Sequence, residues 1–164
     1  MTLLVRPAAA ADAARVAEIY RHYVTDTVVT FEIDPPPATD WAQRIEAATA
    51  FLVGEADGAI AGFAYATVWK PRAAYRFTCE DSIYLAPATH GRGHGRIMLE
   101  ALIGAARAAG LQRMIATIAD TGNPASVRLH KTLGFRPAGR LERVGWKFDH
   151  WIDVELLQLD LDAA

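Results

Sequence analysis

Between residues 87 and 96 the chain reads Pro87-Ala-Thr-His-Gly-Arg-Gly-His-Gly-Arg96, with Gly91, Gly93 and Gly95 at alternate positions and an apolar helical pattern directly after. Thr78 to Leu85 ahead of it alternates like a strand, so the loop joins a strand to a helix N-terminus. Glycines let several main-chain N–H groups converge with no side chain in the way, which makes an anion cradle. Arg92 and Arg96 add mobile positive charge beside the helix start, a combination suited to a pyrophosphate. A plain flexible turn is the alternative reading of the glycines alone.

Spacing separates this loop from the commoner phosphate motifs. No Gly-Lys-Ser/Thr closes it as in a P-loop, and the strict alternation of glycines lacks the two-residue gap of the dinucleotide fingerprint. His90 and His94 enclose no glutamate, so a His-Glu-x-x-His zinc helix is absent, and the single cysteine, Cys79, builds neither a disulfide nor a cysteine zinc site. No metal is expected.

Around the loop, strands and helices follow one another. Leu3 to Arg6 predicts a strand ended by Pro7, and Val16, Ile19, Tyr20 and Tyr23 fall at helical spacing after it. Thr27 to Ile33 is β-branched and fits no helix pattern. Asp34-Pro-Pro-Pro37 then stiffens the chain before a helix from Thr39 or Asp40, either shaping a pocket wall beside Phe31 or simply connecting two helices. Phe51 to Glu55 and Ile60 to Trp69 read as a hairpin turning at Ala56-Asp-Gly58. On the strand Thr78 to Leu85, Glu80, Ser82 and Tyr84 share one face, and Cys79, Asp81, Ile83 and Leu85 the other. The helix after the glycine loop is expected to bury Ile97, Met98, Ala101, Leu102, Ala105 and Ala109 and to stop at Gly110. Arg113 to Ala119 returns as a strand, a helix runs from Asn123-Pro124 to Leu133, and β structure resumes from Phe135 through Leu161. Hairpins in the middle and alternation later predict a mixed α/β sheet with helices on both faces.

With 164 residues, about half of them apolar, and no linker, repeat or low-complexity stretch, residues 1–164 are read as one domain. A formal charge of -2, with both signs spread along the chain, argues against nucleic-acid binding. Neither a secretory leader nor a membrane-spanning apolar run is expected, which fits a cytoplasmic protein.

The segment His90-Gly-Arg-Gly-His-Gly95 resembles the Q/R-x-x-G-x-G/A signature of the GNAT superfamily of N-acetyltransferases, with His90 where glutamine or arginine is usual. Thr27-Val-Val-Thr-Phe31, Glu80-Asp-Ser-Ile-Tyr84, Asn123-Pro-Ala-Ser-Val-Arg-Leu-His130, Leu133-Gly-Phe135 and Gly145-Trp-Lys-Phe-Asp-His-Trp-Ile-Asp153 together resemble the phosphinothricin and methionine sulfoximine/sulfone acetyltransferases. The resemblance implies a GNAT fold, a mixed sheet of about seven strands, and acetyl-CoA as cosubstrate with its pyrophosphate on the loop from His90 through Gly91, Arg92, Gly93, His94 and Gly95 to Arg96. It implies that Ile83, Tyr84, Leu85, Asn123 and Ser126 meet the pantetheine and thioester, Asn123 serving equally well as an N-cap.

An amine attacking a thioester needs a base, a polarised carbonyl and a proton for the departing thiolate. By resemblance Glu80 is the general base, which requires partial burial or a water relay; a surface pairing with Arg72 or Arg76 is the plainer reading of Glu80 from sequence. His130, or alternatively Tyr84, is the proton donor, although a packed histidine is an equal reading. Arg76 is expected to anchor a substrate carboxylate with Arg72 nearby, while Phe31 and Tyr75 line the amine pocket. Trp146, Phe148 and Trp151 are assigned to the core, with a pocket wall or the relatives' dimer contact as alternatives. The implied activity is acetyl transfer to the α-amino group of a small amino-acid-like substrate by a homodimer. The rivals are acetylation of a protein N-terminus or other amine, and a non-catalytic acyl-CoA-binding module.

Overall fold

The computed structural model describes residues 2–162. Strand β1 (Leu4–Pro7) leads into helix α1 (Ala13–Asp26), whose Val16, Ile19, Tyr20 and Tyr23 are all buried, as their spacing predicts. Residues 27–37 run without a helix or strand, so the β-branched Thr27 to Ile33 forms a loop, and α2 (Ala38–Ala47) follows the prolines. Strands β2 (Ala50–Ala56) and β3 (Ala59–Val68) form the expected hairpin. Its two-residue turn has φ of 55° at Asp57 and 77° at Gly58, the left-handed pair that matches strand twist.

Strand β4 (Thr78–Leu85) pairs antiparallel with β3 along its length, from Val68↔Cys79 to Gly62↔Leu85. Helix α3 (His94–Ala108), strand β5 (Arg113–Ala119) and helix α4 (Ala125–Thr132) form the crossover half, and strands β6 (Arg136–Lys147) and β7 (His150–Asp160) close it as a hairpin. Among the described residues the sheet has seven strands in the order β1-β2-β3-β4-β5-β7-β6, with β4 and β5 its one parallel pair. Mixed pairing and helices on both faces agree with the predicted architecture.

Two cores lie on opposite faces. On one, α1 and α2 pack Tyr20, Tyr23 and Trp41 against Phe51, Val53 and Phe63 of the sheet. Phe51 and Tyr65 are cross-strand partners with rings stacked 4.9 Å apart, and Trp41 meets Tyr20 edge-on at 4.8 Å. Such aromatic pairs add about 0.5–1.5 kcal/mol each beyond the area they bury. On the other face, α3 sets Met98, Leu99, Leu102, Ile103 and Ala106 against Leu52, Ala64, Met114 and Leu157.

This α3 stripe corrects the expected one. Leu99, Ile103 and Ala106 are buried in place of Ile97, which is 39% exposed, and Ala109 is exposed as well. The wider leucine and isoleucine side chains set the rotation, and Gly54 of β2 leaves the space that Met98 Sδ fills, since a Cβ there would lie 2.6 Å from that sulfur. A second correction concerns the aromatic end of the chain. Trp146, Phe148 and Trp151 are 54%, 54% and 48% exposed, not core, because β6 is the edge strand and no helix among the described residues covers that face.

Candidate active site

The parallel ladder between β4 and β5 runs from Thr78↔Arg113 only to Asp81↔Ala116. Beyond that rung the strands part, and Ser82 to Leu85 keep a strand partner on the β3 side alone. The gap opens a cleft of about 730 Å³ lined by both parted strands, the glycine loop, the start of α4, and the loop carrying Thr30 and Phe31. The volume is that of a site for a sizeable small molecule.

Strand alternation aims Glu80 toward the α1–α2 face, where it lines the cleft near Tyr65 and Lys70. Burial raises the Glu80 pKa above the usual glutamate value, offset partly by the nearby Thr117 hydroxyl. Neither Arg72 nor Arg76 forms an ion pair with it among the described residues. Tyr84 stands two rows on, its ring edge-on to Tyr20 at 4.9 Å and beside Tyr23 at 5.1 Å. Burial and the neighbouring Tyr65 and Tyr20 hold its phenol protonated, well above the ordinary tyrosine pKa.

On the opposite face Asp81 meets His130 of α4, Oδ2 to Nε2 at 2.9 Å, with side chains only 2% and 3% exposed. His130 Nδ1 lies 2.7 Å from the Ser126 carbonyl oxygen one helical turn back, and the Phe135 ring packs edge-on against the imidazole. Burial pulls the His130 pKa down, but the bond and charge of Asp81 and the Ser126 carbonyl together outweigh it, leaving the value above the usual 6.5.

At the head of α3 the glycine loop takes the left-handed turns it needs, with φ of 75° at Gly91 and 79° at Gly93. A Cβ at either would stand in open space, so the backbone angle and not crowding demands glycine there. Gly95 differs: its Cβ would press on Leu129 at 3.3 Å, so it sets the approach of α4. Among the described residues, the first main-chain N–H that bonds back to this loop is that of Ile97, to Gly93 O at 3.4 Å. Those from Gly91 to Arg96 are left without a backbone acceptor, as a cradle for an anion requires.

Comparison with known proteins decides the family. Residues 16–135 match the acetyltransferase (GNAT) family. The chain belongs to the GNAT acetyltransferases. The phosphinothricin N-acetyltransferase of Alcaligenes faecalis is 43% identical over 157 residues, covering 93% of this chain and 80% of the relative. The L-methionine sulfoximine/L-methionine sulfone acetyltransferase of Salmonella typhimurium is 37% identical over 164 residues, covering 98% and 95%. A phosphinothricin acetyltransferase from Sinorhizobium meliloti, crystallised with acetyl-CoA, superimposes with a TM-score of 0.92 at 39% identity, over 98% of this chain and 89% of that one.

In this GNAT chain most residues named from the sequence meet in the one cleft. Phe31, Glu80, Ile83, Tyr84, Leu85, His90, Gly91, Gly93, Gly95, Arg96, Asn123, Ser126 and His130 all line it. Asn123 also accepts the Ala125 N–H at 3.0 Å, so its turn-forming role and its place in the wall coexist. Arg92 is exposed outside the lining, and His94 is turned into the protein, 1% exposed, with both ring nitrogens unpartnered. Arg72, Tyr75 and Arg76 lie on an exposed loop apart from the cleft of a single chain, Arg76 stacking over Phe77 at 4.5 Å.

The unusual His90 has a partner. Tyr23 Oη donates to the Leu85 carbonyl at 2.5 Å and lies 3.0 Å from His90 Nε2, so it accepts from that ring nitrogen. Tyr23, Thr30, Asp81, Ser82 and Thr117 also line the cleft and were not singled out from the sequence. For Asp81 a signal existed: its strand phase set it opposite Glu80 on an otherwise apolar face, where a carboxylate needs a partner.

Proposed function

We propose that the chain transfers acetyl from acetyl-CoA to the α-amino group of a small amino acid of the phosphinothricin or methionine sulfoximine and sulfone type, with Glu80 as general base. One observation carries the reading: the parting of β4 from β5 past Asp81 leaves a gap between the cradle at the start of α3 and the Glu80 carboxylate. The names of the relatives, phosphinothricin N-acetyltransferase and methionine sulfoximine/sulfone acetyltransferase, support the substrate class.

In this reading the free N–H groups of Gly91 to Arg96 take the cosubstrate's diphosphate, supported by Arg96. The unpaired edge of Ser82 to Leu85 supplies main-chain groups to the thioester arm and its carbonyl. Glu80, its proton affinity raised by burial, takes the proton of the attacking amine directly or through water. His130 or Tyr84 protonates the leaving sulfur. Phe31 walls the amine side, and Arg76, with Arg72 and Tyr75, reaches the substrate carboxylate by a movement of its loop or from a second copy of the chain.

A second copy has a place to dock. Leu141, Val144, Trp146 and Trp151 are exposed on the β6–β7 hairpin, and we assign the homodimer contact there. No helix among the described residues is long and apolar enough to cross a membrane.

The deciding experiment follows thiol release from acetyl-CoA over a panel of free amino acids, their phosphinic, sulfoximine and sulfone analogues, and short peptides. The reading expects release that depends on the analogues and free amino acids. Release with peptides alone moves the substrate to a protein terminus, and binding of acetyl-CoA without turnover on any amine removes the enzymatic reading.

A further inference from the structure

The buried pair Asp81–His130 is assigned no joint role by the reaction as written above. Its hydrogen bonds fix its protonation. The Ser126 carbonyl can only accept, so His130 Nδ1, 2.7 Å away, carries a hydrogen. Nε2 faces Asp81 Oδ2 at 2.9 Å, and a bond there needs one proton between the two atoms. The pair is therefore a net-neutral unit holding one shared proton. Asp81 Oδ1 is buried without a partner, so among the described residues His130 is the only side chain that the carboxylate grips.

Position gives this unit a use. Asp81 is the last rung before the strands part, and Asp81, Ser126 and His130 all line the cleft. The carboxylate next in sequence, Glu80, points to the other face, so one strand presents a proton acceptor on one side of the gap and a held proton on the other.

Resting on the acetyl-transfer reading, we propose that Asp81 is a positioning residue: with the Ser126 carbonyl it fixes the His130 imidazole and keeps on the pair the proton that the departing thiolate takes. The step balances. The amine nitrogen bonds to the carbonyl carbon, the carbon–sulfur bond breaks with its electron pair going to sulfur, and the shared proton moves to sulfur. A neutral imidazole bearing Nδ1–H is left beside ionised Asp81. Glu80 holds the amine's proton, and both sites re-equilibrate with water. The other titratable or charged groups along the cleft are Tyr23, Glu80, Tyr84, His90 and Arg96, while Ala116 to Ala119 of β5 carry none. On α4 itself Arg128 and Lys131 are exposed, and His94 is buried at the start of α3, the helix that packs on the same face of the sheet as α4.

The test compares native chain, Asp81→Asn, His130→Gln and the double variant by the pH dependence of kcat. The expected result for Asp81→Asn is a kcat lowered about 10–100-fold, a KM for acetyl-CoA within about threefold, and a basic limb moved at least about one pH unit down. The double variant is expected to lose little more than either single one. An Asp81→Asn enzyme that keeps the native basic limb overturns the proposal. If that variant does not fold, nuclear magnetic resonance titration of the native imidazole decides. A His130 midpoint above about 6.5 supports the pair, and one at or below it overturns the pair. A native chain that turns over no amine removes the acetyl-transfer reading instead, and that outcome differs from turnover with an unshifted limb.

Discussion

Glu80 and Asp81 are neighbours in the chain, yet their carboxylates serve opposite faces of the sheet: Glu80 looks toward Tyr65 and the α1–α2 side, and Asp81 grips His130 of α4 at 2.9 Å. Their rungs with β5, Glu80↔Ile115 and Asp81↔Ala116, are the last two before the cleft opens. Two acids a residue apart thus occupy the two sides of one gap, and the alternation of an extended strand is enough to separate them.

Replacing Glu80 by Gln removes the base and keeps its volume. We expect kcat to fall about 10²–10⁴-fold while acetyl-CoA still binds. In the native chain the acid limb of the rate profile should lie above the ordinary glutamate value of 4.5, because burial raises this pKa and the base works only when deprotonated. Activity therefore climbs with pH through that raised value. Steady-state rates from pH 4 to 9 in the native chain, with isothermal titration of acetyl-CoA into the variant, check both statements.

Asp81→Ala strands a buried imidazole. Breaking one partner of a buried pair costs about 3–5 kcal/mol, to be read as a lowered midpoint in urea. The pair also makes native stability depend on pH. His130 has a raised pKa in the fold, so its protonation stabilises fully below the unfolded value of 6.5 and that contribution disappears as pH rises through the higher folded value. Denaturation curves above and below that window should show the decline in the native chain and its absence in His130→Gln.

At Gly93 the φ of 79° excludes an ordinary side chain although the space is open. Gly93→Ala should cost about 1–2 kcal/mol of backbone strain or turn the loop N–H groups aside, weakening acetyl-CoA binding about tenfold or more. Gly104, inside α3 with nothing within 4 Å of its missing Cβ, is the control, and Ala there should stabilise by about 0.5–1 kcal/mol. Calorimetric affinities equal in the two variants would contradict the cradle.

Gly145 of β6 lies against the Phe31 ring, and a Cβ there would collide with it. Gly145→Ala should push that ring toward the cleft it lines, at an overpacking cost of about 1–3 kcal/mol. The KM for the amine is expected to rise about tenfold with that for acetyl-CoA unchanged, and adding Phe31→Ala should relieve it. Kinetics with each substrate varied in turn separate the two effects.

Much of this was legible in the sequence because local rules decide it. The phase of Thr78 to Leu85, the Asp57-Gly58 turn and the glycine-rich start of α3 each depend on neighbouring residues alone, and each appears as read. What was not legible depends on distant partners. His130 finds Asp81 across 49 positions, and no periodicity announces such a bond. The exposure of Trp146 and Trp151 follows from β6 being last in the strand order, which composition does not encode. The α3 stripe was misphased because alanines fit either side of a helix, and the choice was made by what β2 and β3 offer opposite it.

The parting of β4 and β5 also has a mechanical side. A sheet fastened at its lower rungs and open at the top can widen or narrow there without breaking any hydrogen bond between strands. The space in the slot is then filled by lining side chains such as Ile118 and Leu129 rather than by the ladder. Acyl groups longer than two carbons should thus be admitted by trimming one such side chain, with the framework left intact.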